Sequence, residues 1–325
     1  MQVNILTESD LWQSVRIDLE TIDAIEAAFS QLARGGVQMP PILRMEFPEA
    51  NGEVDVKTAY IPGLDSFALK VSPGFFDNPK IGLPSLNGLM ILLSAKTGLL
   101  EAVLLDNGYL TDVRTGAAGA VAARHLAPEK VETVGVVGAG KQARFQMRAL
   151  RQVRDFKRLL VTSIVAEEIP AYIEEMSAEL GVEVLAAEDE ESLVRESQVV
   201  VTSTPAKQPH LRAEWLHPGL HITAMGSDGE GKGELFPDVL TRADLVVCDR
   251  KSQAFRLGEL QHATDLSEGD VVELGDITSG QKVGRISENQ ITVCDLTGTG
   301  IQDTAIALLA FQKASRQGLG TLFES

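Results

Sequence analysis

One stretch constrains the fold more than any other. It is Val131-Glu-Thr-Val-Gly-Val-Val-Gly-Ala-Gly-Lys-Gln-Ala-Arg144. It reads as an apolar strand (Val134, Val136, Val137), a glycine turn, and a helix beginning near Lys141. Gly138, Gly140 and Ala143 fill a G-x-G-x-x-A pattern. The first glycine permits the tight turn, the second lets backbone approach a pyrophosphate, and the small third residue lets helix and strand pack closely. Phosphate would then meet exposed N–H groups at the positive end of the helix dipole. Glycine turns are common, so the weight rests on context: a strand before and a helix after are what a dinucleotide needs. Gly138, Ala139, Gly140, Lys141, Gln142 and Ala143 are therefore candidate contacts to NAD or NADP.

Downstream, strands and helices alternate. Strands are expected at Thr133–Val137, Arg158–Ser163, Val182–Leu185, Gln198–Thr202, His221–Met225, Asp244–Cys248 and Gln290–Cys294. Helices are expected near Gln142–Gln152, Glu167–Leu180 and Glu190–Glu196. That rhythm predicts an α/β fold with a doubly wound parallel sheet of Rossmann type. Upstream the pattern differs. A helix is predicted over Thr21–Arg34, with Ile22, Ile25, Phe29 and Leu32 on one face and Thr21 as its cap. Alternation over 53–61 and 67–71, and two strong strands at 89–94 and 100–105 joined by Ala95-Lys-Thr-Gly98, predict a mixed or antiparallel sheet. A helix crowded with small residues, Thr111–Leu126, leads to Pro128 and marks the junction. The expected division is a substrate-binding and dimerisation domain of residues 1–125 and 301–325, with a Rossmann domain of 126–300 between.

Composition narrows the partners. The 29 basic and 46 acidic residues leave a formal charge of −17, which repels nucleic acid and anionic lipid, so neither is expected as a partner. The start, Met1-Gln-Val-Asn-Ile-Leu-Thr-Glu, has no basic region followed by an apolar run, and a cytoplasmic location is expected. Cys248 and Cys294 lack metal spacing, as do the five histidines, and no metal site is expected.

Several residues can carry chemistry. The second Rossmann strand should end in the residue facing the adenosine ribose, where an acid favours NAD and a nearby arginine NADP. Ser163 stands there, with neither beside it, and Glu167 and Glu168 come late enough to start the next helix. In open α/β sheets ligands bind beyond the carboxyl ends of the strands. That rule points to Thr202-Ser203-Thr204, to Met225-Gly226-Ser227, and to Gly298-Thr299-Gly300 as further cofactor contacts. It also places Asp228 where a proton is handled, although a turn aspartate among glycines serves the loop equally well. Arg44, Lys57, Lys70 and Arg114 are basic residues among the strands of the first domain, suited to a small carboxylate. Lys70 stands out, flanked by Ala68-Leu69 and Val71.

Taken together, these segments resemble the ornithine cyclodeaminase/μ-crystallin family from Met39 to the end. The motifs that carry the likeness are Leu69-Lys-Val71, Leu110-Thr-Asp-Val-Arg-Thr-Gly-Ala-Ala118, Val137-Gly-Ala-Gly-Lys-Gln-Ala143, the stretch 224–235 and Asp295-Leu-Thr-Gly-Thr-Gly-Ile-Gln-Asp303. Residues 53–79 and 82–88 look most like the ectoine-utilisation branch. The resemblance implies a homodimer in which Arg44, Lys70 and Arg114 hold a substrate carboxylate and Asp228 is the acid/base residue. Ornithine cyclodeaminases carry a glutamate on the strand before the equivalent of Lys70; here that place is Lys57, which argues against ring closure on a diamino acid. The leading expectation is an NAD(P)-dependent oxidoreductase of a small α-imino or α-amino acid, with Lys70, Asp228 and Lys57 in catalytic roles. The alternatives are a cyclodeaminase using NAD⁺ catalytically and a non-enzymatic cofactor-binding protein like μ-crystallin.

Overall fold

The computed structural model describes residues 2–324 and divides into two units, Met1–Arg114 with Thr299–Ser325, and Thr115–Gly298. The chain begins with β1 (Gln2–Thr7), α1 (Glu8–Ser14), α2 (Leu19–Arg34), β2 (Leu43–Phe47), β3 (Gly52–Ala59) and β4 (Ser66–Phe75). Next come β5 (Leu89–Ser94), β6 (Leu100–Leu105), α3 (Tyr109–Leu126), β7 (Thr133–Val137), α4 (Lys141–Val153), β8 (Arg158–Thr162) and α5 (Ile169–Leu180). After these lie β9 (Glu183–Ala186), α6 (Glu190–Glu196), β10 (Val199–Thr202), β11 (His221–Ala224), α7 (Pro237–Arg242) and β12 (Leu245–Cys248). The last elements are α8 (Lys251–Leu257), β13 (Val271–Glu273), α9 (Leu274–Thr278), β14 (Thr292–Asp295), α10 (Gly300–Gln317) and β15 (Thr321–Glu324). The division into units falls inside α3, between Arg114 and Thr115.

The first unit is built on a mixed sheet in the order β15-β1-β6-β5-β4-β3-β2, antiparallel except where β1 runs parallel to β6. Helix α10 packs against β3, β4 and α2. The apolar face of α2 is buried as its spacing requires, with Ile22, Ile25, Phe29 and Leu32 out of solvent, each worth roughly 1.5–3 kcal/mol. The cap differs from expectation. Asp18, not Thr21, starts the helix, because its carboxylate accepts the Thr21 N–H at 2.8 Å.

The start of α10 is fixed by contact with strand backbone. The Thr304 hydroxyl donates to Ala59 O at 2.8 Å and accepts from Ala68 N at 3.2 Å, bridging β3 and β4. Gly300 lies so close to β3 that a Cβ would stand 2.3 Å from Thr58 O and 2.6 Å from its carbonyl carbon.

The second unit holds an all-parallel sheet in the order β13-β12-β14-β11-β10-β7-β8-β9, with apolar clusters formed by strands and helices. From β7 the chain winds outward through β8 and β9, then crosses back to β10, so the reversal point lies between β7 and β10. The carboxyl ends stand in register: Thr162, Val137, Thr202, Ala224, Asp295 and Cys248 form one row across the sheet. Two arginines satisfy carbonyls at and just past the end of α3. Arg154 donates to Arg124 O and Pro128 O at 2.8 and 3.0 Å, and Arg285 donates to Leu126 O.

Reading the pattern alone passes over β13 and α7–α9, elements of three to seven residues that are too short to show a period. It also misses that β14 inserts between β11 and β12. Glu167 and Glu168 belong to a single 3₁₀ turn, and α5 starts only at Ile169.

Gly300→Ala should destabilise the protein by about 1–3 kcal/mol, since the clash is with strand backbone and cannot be relieved by a rotamer change. Thermal unfolding checks this; an unchanged midpoint would show that the start of α10 is not held as tightly as drawn.

Candidate functional site

In the first unit, antiparallel pairing of β3 with β4 sets Lys57 directly opposite Lys70. Residues directly opposite in an antiparallel pair share a sheet face, and like charges there repel. Both lysines are nevertheless buried, 6% and 1% exposed. Arg114, 5% exposed, belongs to the same cluster. Asp303, in the first turn of α10, supplies a counter-charge to two of them. Its Oδ1 lies 3.2 Å from Lys70 Nζ and 3.1 Å from Arg114 Nε. Arg114 also donates through Nη1 to Gln302 Oε1 at 2.9 Å.

The electrostatics follow from this crowding. Burial, with the Arg114 charge beside it, pulls the Lys70 ammonium down to a pKa of about 7, and Asp303 works in the opposite direction. Burial disfavours the Asp303 carboxylate, but Lys70, Arg114 and Lys57 outweigh it and hold the pKa below the usual carboxylate range. Three basic groups held together out of solvent suit an anionic ligand group, which would pair with them at close range.

Arg44 lies on the same sheet and pairs with Asp55. Its guanidinium grips Asp55 in a two-pronged pair, Nε to Oδ1 at 2.7 Å and Nη2 to Oδ2 at 2.8 Å, with the two residues opposite each other on β2 and β3.

In the second unit, the expected cofactor residues collect at the carboxyl edge of the sheet. Gly138 leaves β7 with φ +107°, a conformation that favours glycine, and a Cβ there would stand 3.2 Å from Ser203 O. Gly140 precedes α4, whose start receives no side-chain cap, and a Cβ on Gly140 would meet open space. The start of a 13-residue helix whose N-cap is a glycine without a side chain, and which leaves room, fits a pyrophosphate. Arg144 closes the turn from behind, donating to Ala139 O and to Gly140 O. Lys141, Gln142 and Ala143 form the first turn of α4. Ser163 is the first residue past β8, and its hydroxyl accepts from Val165 N at 3.2 Å. Thr202 ends β10 and Ser203 and Thr204 follow it, Met225, Gly226 and Ser227 follow β11, and Gly298 comes shortly after β14. Thr299 and Gly300 instead belong to the first unit.

Asp228 sits in the loop after β11, its carboxylate 2.6 Å from Lys232 Nζ. That loop is clamped from inside. Ser227 Oγ lies 3.0 Å from Lys232 O and 3.1 Å from Leu257 O and shares its one O–H between them, Gln261 Nε2 donates to Gly229 O and Lys232 O, and Glu234 accepts from Gly226 N at 2.8 Å.

A family model described as "Ornithine cyclodeaminase/mu-crystallin family" matches residues 1–318. The chain belongs to that family. An uncharacterised cyclodeaminase of Sinorhizobium fredii is 52% identical over 99% of both chains. Among solved structures, an archaeal alanine dehydrogenase dimer with bound NAD superposes with a TM-score of 0.93 at 34% identity, covering 100% of this chain and 99% of that one. The Δ1-pyrroline-2-carboxylate reductase of Thermococcus litoralis, solved with NADH and L-proline, gives a TM-score of 0.93 at 31% identity over 98% and 99%.

Two residues give little signal of their own in the sequence. Asp303 stands inside a motif, although a buried lysine and arginine demand a buried acid. Glu234 lay in the motif after Asp228 and gave no signal of its own.

Asp303→Asn should lower the Lys70 titration midpoint below about 7, because the carboxylate raises it. Lysine-specific NMR would follow one resonance titrating far below the others; an upward shift in the variant would contradict the arrangement.

Proposed function

We propose that this protein is an NAD(P)-dependent oxidoreductase that interconverts a small α-imino acid and its α-amino acid. The observation that carries the reading is the buried Lys57–Lys70–Arg114 cluster, in which Lys70 and Arg114 share Asp303. It is supported by the phosphate-fitting turn at Gly138–Gly140 and by the NAD- and NADH-bound relatives.

In this reading Arg114 and Lys70 hold the substrate carboxylate, and Lys57 adds charge that strengthens the hold. Arg44 supports the strand edge through Asp55 and contributes to the same electrostatic field. Asp228 delivers or takes the proton on the substrate nitrogen, with Lys232 setting its orientation. A bound nicotinamide cofactor supplies the hydride chemistry at the imine carbon. The residues after β7, β8, β10, β11 and β14 orient it, and fixed orientation supplies much of the rate.

A homodimer belongs to the proposal. The archaeal alanine dehydrogenase is a dimer, and here the terminal strand β2 exposes Leu43, Met45 and Phe47. A cytoplasmic location belongs to it as well, in keeping with the unbridged, buried Cys248 and Cys294. The cyclodeaminase reading is favoured by the name of the Sinorhizobium relative and opposed by Lys57.

The test is a panel of oxo acids with ammonia or methylamine, plus cyclic pyrroline and piperideine carboxylates, mixed with NADH or NADPH and followed at the nicotinamide absorbance. Net oxidation with one imine is expected. Silence, with ammonia released from ornithine and only trace NAD⁺ required, would replace the reading by a cyclodeaminase.

The pH dependence carries a sign. Lys70 is charged below its pKa of about 7 and neutral above it. Accordingly kcat/KM, which reports the free enzyme, should fall as pH rises through that region, and Lys70→Met should be slow and lack that limb. A parent profile flat from pH 6 to 8.5 would remove Lys70 from the carboxylate site.

A further inference from the structure

Glu234 is fully buried, yet no cation pairs with its carboxylate among the described residues. Its four partners are all donors, and they come from two different strand ends. Oε1 accepts from Thr204 N and Thr204 Oγ1, both at 2.7 Å. Oε2 accepts from Thr202 Oγ1 at 2.6 Å and from Gly226 N at 2.8 Å. The carboxylate thus bolts the segment leaving β10 to the segment leaving β11. The fit leaves no slack, since a Cβ on Gly226 would stand 2.1 Å from Thr204 O and 2.5 Å from Glu234 Cδ. Glu234 is held in turn, because Glu259 accepts from the backbone N–H of Glu234 and of Leu235 at 2.9 and 3.0 Å.

We propose that Glu234 is a positioning residue for the nicotinamide end of the cofactor, fixing Thr202–Thr204 and the Gly226–Asp228 loop relative to one another; this rests on the oxidoreductase reading above. Being fully buried, it presents no surface to a bound ligand. Its effect passes through the loops it joins.

The bonding pattern makes a specific variant informative. A glutamine has the same shape, but its amide NH₂ must face one side of the pattern. Whichever way it flips, it meets a backbone N–H, of Thr204 or of Gly226, and donor against donor makes no bond. Glu234→Gln therefore detaches one loop while filling the same space.

The experiment is calorimetric titration of the full-length protein with NADH, together with steady-state kinetics and thermal unfolding. Glu234→Gln should weaken NADH binding by about tenfold or more, the loss expected for a broken charge-assisted bond, and should lower kcat. KM for the imino acid should stay near the parent value, because its carboxylate is held by Lys70 and Arg114. Thr202→Val, which removes one of the four bonds, should shift NADH affinity the same way by less. A merely structural role would lower the melting temperature and leave NADH affinity and kcat alone, and that result overturns the proposal. Should Glu234→Gln fail to fold, Thr202→Val decides, and parental NADH affinity in it overturns the proposal too. A parent protein that binds neither NADH nor NADPH sinks the oxidoreductase reading, and this inference with it; parental binding with an unaffected variant sinks the inference alone.

Discussion

Three basic side chains, Lys57, Lys70 and Arg114, are buried together in the first unit, and Asp303 answers two of them through a single oxygen. Hydrophobic residues would fill that space at less cost, since burying charge is repaid only by close pairing. Much of the unit serves to impose the arrangement. The β3–β4 register forces the two lysines face to face, and the Thr304 bridge together with Gly300 brings α10 close enough to deliver Asp303. The crowding shows in Lys70, whose pKa burial and the Arg114 charge pull down to about 7.

The second unit shows the opposite sign. Glu234, Asp249, Glu259 and Asp295 are all buried, and burial raises the pKa of each, Glu259 to about 8 and Asp295 well above the usual range. Their hydrogen-bond donors are loop N–H and hydroxyl groups: Thr297 and Gly298 for Asp249, Leu260 for Asp295, Thr204 and Gly226 for Glu234. Here the carboxylates replace secondary structure at the strand ends, where loops must be open to a ligand and still hold their shape.

Legibility followed the length scale of the interaction. The β7 turn was readable because strand, glycines and helix are contiguous, and the alternation of elements carried the parallel sheet. Lys70 was readable because its immediate neighbours are apolar. Asp303 was not readable at the residue level, for it lies 233 positions from Lys70 (303 − 70) and only packing joins them. Arg44 looked free for a ligand because Asp55 becomes its partner only once β2 and β3 pair. Glu234 was illegible for a related reason: its role lies in the donors of three other positions, and a lone glutamate after a glycine loop resembles a solvated one.

The central claim is that hydride passes between the nicotinamide C4 and the substrate carbon bearing nitrogen and carboxylate. Its most direct test is to run the reaction with NADH deuterated at C4 and locate the label in the amino acid by NMR. Deuterium at Cα, delivered from one face of the cofactor only, is the predicted result. An amino acid free of label, formed while the deuterated cofactor remains unspent, would contradict it.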